Sequence, residues 1–187
     1  MKLQDIATCI PGSPQFRIRE RSDKKATLYT YYGQAEMEND LTGVEIRQGE
    51  GRQIETLDKV QTLQEGEIVF SLISGMATIV GKYHEGFLCT QNYVRIKLQK
   101  PIEPKYMVYL LNENHQIKRQ LQLGLQGTVI LKYTVRQLRD LTLPELPSRE
   151  KQRLISEIYF NQLRLQALRE RAAKLETLVV LKTLKEV

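Results

Sequence analysis

The chain has 187 residues, 41% of them hydrophobic, which is enough for about one domain with a sizeable core and an appendage. No run of 18 apolar residues occurs, so a membrane-spanning helix is excluded, and the opening Met1-Lys2-Leu3-Gln4-Asp5 lacks the charged and apolar regions of a signal peptide. Two cysteines, Cys9 and Cys89, are too few for a disulfide framework and suit a reducing compartment, so the sequence reads as a soluble, cytoplasmic protein.

The net charge of +6 favours a polyanionic partner, and its distribution sharpens that expectation. Residues 33–67 carry 9 acidic and 3 basic side chains, so an acidic stretch masks a basic remainder. A solvated surface of uneven charge explains the same counts.

Leu3 to Thr8 is short and apolar-patterned and meets the turn Pro11-Gly12-Ser13-Pro14. Arg17, Arg19 and Arg21 follow at period two, interleaved with Phe16 and Ile18; on a strand that spacing puts three guanidinium groups on one face. Lys25 to Tyr32 is β-prone, and residues 33–67 read as loop-rich. Glu67–Ile73 and Ala77–Val80 read as strands bracketing the turn Ser74-Gly75. Phe87–Cys89 and Tyr93–Leu98 extend the sheet, the last alternating apolar and charged. After Pro101 and Pro104 the period becomes helical over Tyr106–Leu111 and Glu113–Leu123, with Gly124 and Gly127 as breakers. Thr128–Leu131 reads as a short strand, and Thr134 caps a helical turn ending near Asp140.

Leu143-Pro144-Glu145-Leu146-Pro147 is a rigid link. From Ser148, a good N-cap with Glu150 in the first turn, one helix runs to near Val187 without glycine or proline. Leu154, Ile158, Leu165, Leu168, Ala172, Leu175 and Val179 recur at alternating spacings of 4 and 3 once Asn161 is admitted, forming an a/d seam. At ~1.5 Å per residue such a helix reaches roughly 55 Å, longer than a one-domain core needs. The seam therefore calls for a partner, unless the helix folds back onto its own domain. The expected class is α+β: a β-rich globular domain over residues 1–146 with short helices, then a long coiled-coil helix over 147–187.

Standard enzyme signatures are missing. Between Gly75 and Gly81-Lys82 lie five residues rather than the four of a P-loop, and Tyr83 stands where Ser or Thr would hold Mg²⁺. Gly49-Glu50-Gly51 lacks a third glycine at Ile54. Glu103-Pro104-Lys105 has the spelling of a nuclease Glu-x-Lys, but its proline opposes the strand that chemistry needs. His84 and His115 have no spaced ligand partners and read as surface or loop histidines, so no metal, cofactor or catalytic residue is expected.

Several blocks in one order carry a resemblance: KLQDIATCIPGSP at 2–14, GEIVFSLISGMATIVG at 66–81, TQNYVRIKL at 90–98, PKYMVYLLN at 104–112, Gln126-Gly127-Thr128-Val129-Ile130, and LTLPELPSREKQRLI at 141–155. Together they resemble a target-recognition domain and following helix of the specificity (S) subunit of type I restriction–modification systems. The family's usual subunit has two such domains and two helices, whereas this chain has one of each. It also has Leu146-Pro147 and Glu150-Lys151-Gln152 where the family commonly shows adjacent prolines and a Glu-Gln pair.

The resemblance implies a non-catalytic reader of double-stranded DNA. Its partners would be an adenine methyltransferase subunit that uses S-adenosylmethionine and, as a further candidate, a translocating nuclease subunit. One domain per chain suggests a homodimer through the long helices, with Leu154, Ile158, Leu165, Leu168, Ala172, Leu175 and Val179 at the interface and a two-part palindromic target. Arg17, Arg19, Arg21, Lys24 and Lys25 would meet phosphates. Ser71, Ser74, Lys82, Tyr83, Gln91 and Asn92, and Gln126, Thr128, Lys132 and Tyr133 on a second loop, would reach base edges from turns, Ser71 and Asn92 having the stronger structural reading because they lie inside strand-like blocks. Each has a plainer reading as a solvated or structural side chain. Arg95 and Lys97 read as solvent face, and Tyr29, Tyr31 and Tyr32 as stacking or packing groups. A coiled-coil dimeric protein–protein adaptor without DNA binding is the rival class, and an orphan regulator or degenerate fragment sequestering the methyltransferase is a third.

Overall fold

The computed structural model describes residues 1–21, 23–45, 51–125 and 132–185. Among these residues a four-stranded antiparallel sheet has the order β1 (Ala7–Pro11), β6 (Tyr93–Leu98), β4 (Ile68–Ser71), β5 (Ala77–Ile79), and β2 (Thr27–Thr30) pairs with β3 (Gln53–Thr56) as a separate ribbon. The central strand β6 shows why this sequence makes a sheet. Its alternation sends Val94 and Ile96 to one face, where they line up with Phe70 and Ile68 on β4 and with Pro11 and Cys9 on β1. That face is covered by α2 (Pro104–Glu113) and α3 (His115–Leu123), which bury Tyr106, Met107, Leu110, Leu111, Ile117 and Leu121 in one core. Val69 and Tyr93 point to the other face and join Tyr32, Met37, Leu63, Val80 and Cys89 in a second core.

Local chemistry sets the helix ends. Pro104 opens α2 at a position where no amide partner is needed. The Asn114 side chain accepts from the amides of Gln116 and Ile117 to start α3. Thr134 and Gln137 form a reciprocal capping box at α4 (Val135–Asp140). Between them Asn112, 3% exposed, closes the edge of β5: its Oδ1 accepts from the Ala77 amide at 2.7 Å and its Nδ2 donates to the Ala77 carbonyl at 2.9 Å. An edge strand otherwise offers unpaired backbone to solvent.

The last helix, α5 (Arg149–Lys185), starts where Ser148 Oγ accepts from the Lys151 amide. Its first turns dock through buried Gln152 and Ser156 and half-buried Ile155, Tyr159, Phe160 and Leu163, at the i, i+3, i+4 spacing of one face. Gln152 Oε1 accepts from the Glu103 amide at 3.0 Å, and its Nε2 donates to the Pro147 carbonyl at 2.9 Å. Asn112 Nδ2 reaches the Tyr159 hydroxyl at 3.2 Å. No helix among the described residues is long and apolar enough to cross a membrane.

Several expectations need correction. Arg17, Arg19 and Arg21 do not share a strand. Pro14 opens a 3-10 turn over Gln15–Arg17, and the chain then runs beside β3, with the Arg19 amide on the Asp58 carboxylate and the Arg21 amide on the Glu55 carbonyl. Residues 33–67 are not simply loop: α1 (Gln34–Thr42) lies within them, with Met37 and Leu41 buried, Glu36 accepting from the Gly33 amide, and Gly43 left-handed at the end. Phe87–Cys89 makes isolated bridges through Leu88 to Tyr31 and Thr62 instead of a strand. Arg95 is not plain solvent face. Its guanidinium clamps Gln61, the Thr62 carbonyl and Glu67, so it holds the 61–67 segment to β6. The strand expected over Thr128–Leu131 lies outside the described residues.

Candidate nucleic-acid interface

At the end of the sheet where β4 turns into β5, separate loops converge. Ser71, fully buried, accepts through Oγ from the amides of Ile73 and Ser74 at 3.2 and 3.1 Å, which fixes the turn and leaves Ser74 exposed at its tip. Gly75 has φ +71, and a Cβ there would lie 2.5 Å from the Tyr133 ring, so only glycine fits. The Leu72 amide donates to the Asn92 carbonyl at 2.8 Å, and the Tyr133 amide to the Leu72 carbonyl at 2.8 Å. Lys132 Nζ donates to Asn92 Oδ1 at 2.7 Å. On the other flank the Gln91 amide donates to the Ser13 carbonyl at 2.9 Å.

These bonds bring Ser74, Gln91 and Lys132 together from positions far apart in sequence, with Asn92 and Tyr133 among them. The cluster is polar, carries one cation held by an amide oxygen, and sits on loops pinned by backbone bonds. Such groups donate to and accept from base edges without rearranging. The 12–14 turn that leads to Arg17 is stitched to the cluster through the Gln91 amide and the Ser13 carbonyl, and Arg17 is exposed. Arg19, Arg21, Lys24 and Lys25 are exposed along the segment leading into β2. Lys82 and Tyr83 are not brought in. Both are exposed, Tyr83 at 73%, but their 3-10 turn over Lys82–His84 follows the far end of β5. Gln126 and Thr128 lie outside the described residues.

His84 departs furthest from its expected surface place, being only 3% exposed. Its Nδ1 is 2.7 Å from Asp40 Oδ1, which also accepts from the Gly81 amide at 2.9 Å, while Tyr32 donates its hydroxyl to Asp40 Oδ2 at 2.8 Å. Burial works against a charged imidazole here, but the hydrogen bond to Asp40 and the charges of Asp40, Glu45 and Glu36 outweigh it and raise the His84 pKa. The network fastens α1 to the second core. Tyr32 is thereby a packing residue. No grouping of three His, Cys, Asp or Glu side chains suited to a metal occurs among the described residues. Cys9 and Cys89 are both buried, and burial pushes the Cys89 thiol up to about 12. Neither is an accessible nucleophile.

The seam of α5 faces away from the head. Leu154, Ile158, Leu165, Leu168, Leu175 and Val179 are all exposed, at 41–64%, and Asn161 and Ala172 are exposed beside them. The last turns add Leu178, Val180, Leu181 and Leu184.

Two further surface residues were not singled out in the sequence. Phe16 is 78% exposed, and Lys59 lies with Arg17 on one groove. The pattern of alternating arginines disguised the first, and the acidic stretch around it disguised the second.

No family model matches this sequence, and no curated protein matches it. Solved structures do. The chain superimposes over 97% of its length on a type I restriction–modification S subunit from M. genitalium, at 20% identity and a TM-score of 0.53. It covers 98% of its length on the HsdS subunit from Thermoanaerobacter tengcongensis, at 18% identity and a TM-score of 0.54. A third match, from a structure of complex assembly and conformational transition in the type I R-M system, has 19% identity, 98% coverage and a TM-score of 0.58. The chain therefore has the fold of type I specificity subunits: a β-rich head with short helices and one long C-terminal helix. More particularly, it spans about two-fifths of the length of those solved chains, 41–42% in each case.

Proposed function

We propose that this chain is the DNA-reading subunit of a type I restriction–modification enzyme, with residues 1–146 as recognition domain and 147–187 as spacer and dimerisation helix. The match to S subunits over nearly the whole chain carries this reading. The polar cluster of Ser74, Gln91 and Lys132 supplies base-edge groups, and the exposed cations of residues 17–25 supply phosphate contacts. The chain performs no chemistry itself. It positions duplex DNA for an adenine methyltransferase subunit, which carries S-adenosylmethionine and takes the target base out of the stack. A translocating nuclease subunit joins the same assembly in restriction. Two copies pair antiparallel through α5, place their heads at opposite ends, and read a two-part symmetric site.

The test is adenine methylation mapped by single-molecule sequencing in cells carrying the partner methyltransferase with and without this chain. Methylated adenines in one split, symmetric motif should appear only when the chain is present. An unchanged methylation map contradicts the reading.

A further inference from the structure

Phe16 stands out because no large hydrophobic side chain among the described residues is more exposed, yet its mounting is rigid. Pro14, at φ −62, opens the 3-10 turn, and the Arg17 amide returns to the Pro14 carbonyl at 3.0 Å. Ser13 anchors the base of the turn three ways: its amide donates to the Cys89 carbonyl, its Oγ accepts from the Gln61 amide, and its carbonyl accepts from the Gln91 amide. Gly12 passes so close that a Cβ would lie 2.3 Å from the Thr90 carbonyl oxygen. A turn held this firmly does not need an exposed aromatic for its own stability.

Beside Phe16 runs a shallow groove between the 11–18 turn and residues 58–61, lined by Gly12, Pro14, Arg17, Ile18, Asp58 and Lys59. The Arg17 guanidinium lies 5.5 Å over the Phe16 ring. Neither that guanidinium nor the Lys59 ammonium makes an ion pair or side-chain hydrogen bond with another described residue. Asp58 is already engaged, its Oδ2 accepting from the Arg19 amide at 2.7 Å. The groove thus holds two cations and one carboxylate, which keeps its charge while accepting from the Arg19 amide, for a net charge of +1. That excess of positive charge favours a singly charged anion, to which guanidinium and ammonium groups donate charge-assisted hydrogen bonds.

We propose that this groove seats one backbone phosphate of double-stranded DNA on Arg17 and Lys59, and that the Phe16 ring packs against the adjoining deoxyribose. The inference rests on the DNA-reading function and adds two residues to it. Position agrees with chemistry: the Gln91 amide donates to the Ser13 carbonyl, which ties this turn to the polar cluster. Contacts to sugar and phosphate carry no sequence information and fix the register of the duplex.

The experiment measures binding of the intact chain to a random-sequence duplex oligonucleotide across a salt series from about 50 to 200 mM. Lys59→Ala and Arg17→Ala should each lower the log–log salt slope by about 0.9, the signature of one lost phosphate contact. Phe16→Ala should leave the slope unchanged and weaken binding about fivefold, with Phe16→Tyr restoring it. Lys100→Ala, beyond the opposite end of β6, should match the unmodified chain. If Lys59→Ala or Phe16→Ala also matches it, the groove assignment is wrong while the DNA reading stands. If the unmodified chain shows no salt-sensitive binding, the DNA reading falls and takes this inference with it. Melting curves coinciding with that of the unmodified chain establish that the variants are folded.

Discussion

The head and the distal half of α5 treat the same residue types in opposite ways. In the head Leu3, Leu63, Leu110 and Leu138 are 0–2% exposed, each packed within the two cores. On α5 Leu165, Leu168, Leu175 and Leu184 are 41–66% exposed. Fully burying a leucine is worth about 1.5–3 kcal/mol, so the first set stabilises the fold within one chain and the second set does not. The contrast separates the part of α5 that packs into the head core from the part whose apolar side chains stay exposed. The boundary runs along α5 itself: Gln152, Ser156 and Tyr159 belong to the head, while Ile158 and Leu165 face away from it.

Breaking the head should therefore unfold the molecule. Phe70→Ala removes a fully buried ring that lies opposite Val94 and Ala77 and edge-on to Tyr133, and should cost about 3–5 kcal/mol in urea denaturation. A loss below 1 kcal/mol would show that this core is not the cooperative unit. Asn112→Ala strands the Ala77 amide and carbonyl at the β5 edge and frees the Tyr159 contact, at about 1–3 kcal/mol in the same measurement. A variant as stable as the parent would mean that water satisfies that edge equally well.

The smallest effect sharpens the picture of how α1 joins the head. Because the folded pKa of His84 is raised above its unfolded value of about 6.5, its contribution is complete below that pH and is lost as pH rises through the folded value. Denaturation midpoints should decline modestly from about pH 6 upward over that range, and His84→Gln should flatten the decline. A parent midpoint that is level or rises through the same range would remove the imidazolium from the account.

How much of this could be read from the residues differs between regions for physical reasons. The alternation of Tyr93–Leu98, the Ser74-Gly75 turn, the Thr134 cap and the uninterrupted run after Ser148 are local signals, and the structure has β6, the β4–β5 hairpin, α4 and α5 there. α1 gave little signal, because its N-cap is Gly33, which has no side chain, and only Met37 and Leu41 mark its buried face. His84 and Asp40 are 44 residues apart and Gln61 and Ser13 are 48 apart, so no window along the chain could join them. Arg17 to Arg21 misled because period-two spacing imitates a strand even where Pro14 and a neighbouring carboxylate dictate something else. In the candidate interface, Ser74, Gln91 and Lys132 were each nameable as polar residues at turns. Their convergence, and the separation of Lys82 and Tyr83 from them, depend on the β4–β6 pairing and on backbone bonds that span 20 to 78 residues.

The claim that α5 presents its seam to a second copy is tested most directly by sedimentation of the intact chain at micromolar concentration, beside Leu165→Asp/Leu168→Asp. The intact chain should sediment as a dimer of 21.7 kDa protomers. The double variant should be a monomer whose head melts as before, because neither residue packs in the head cores. An intact chain that sediments as a clean 21.7 kDa monomer would contradict the account, and the symmetric two-part target would be lost with it.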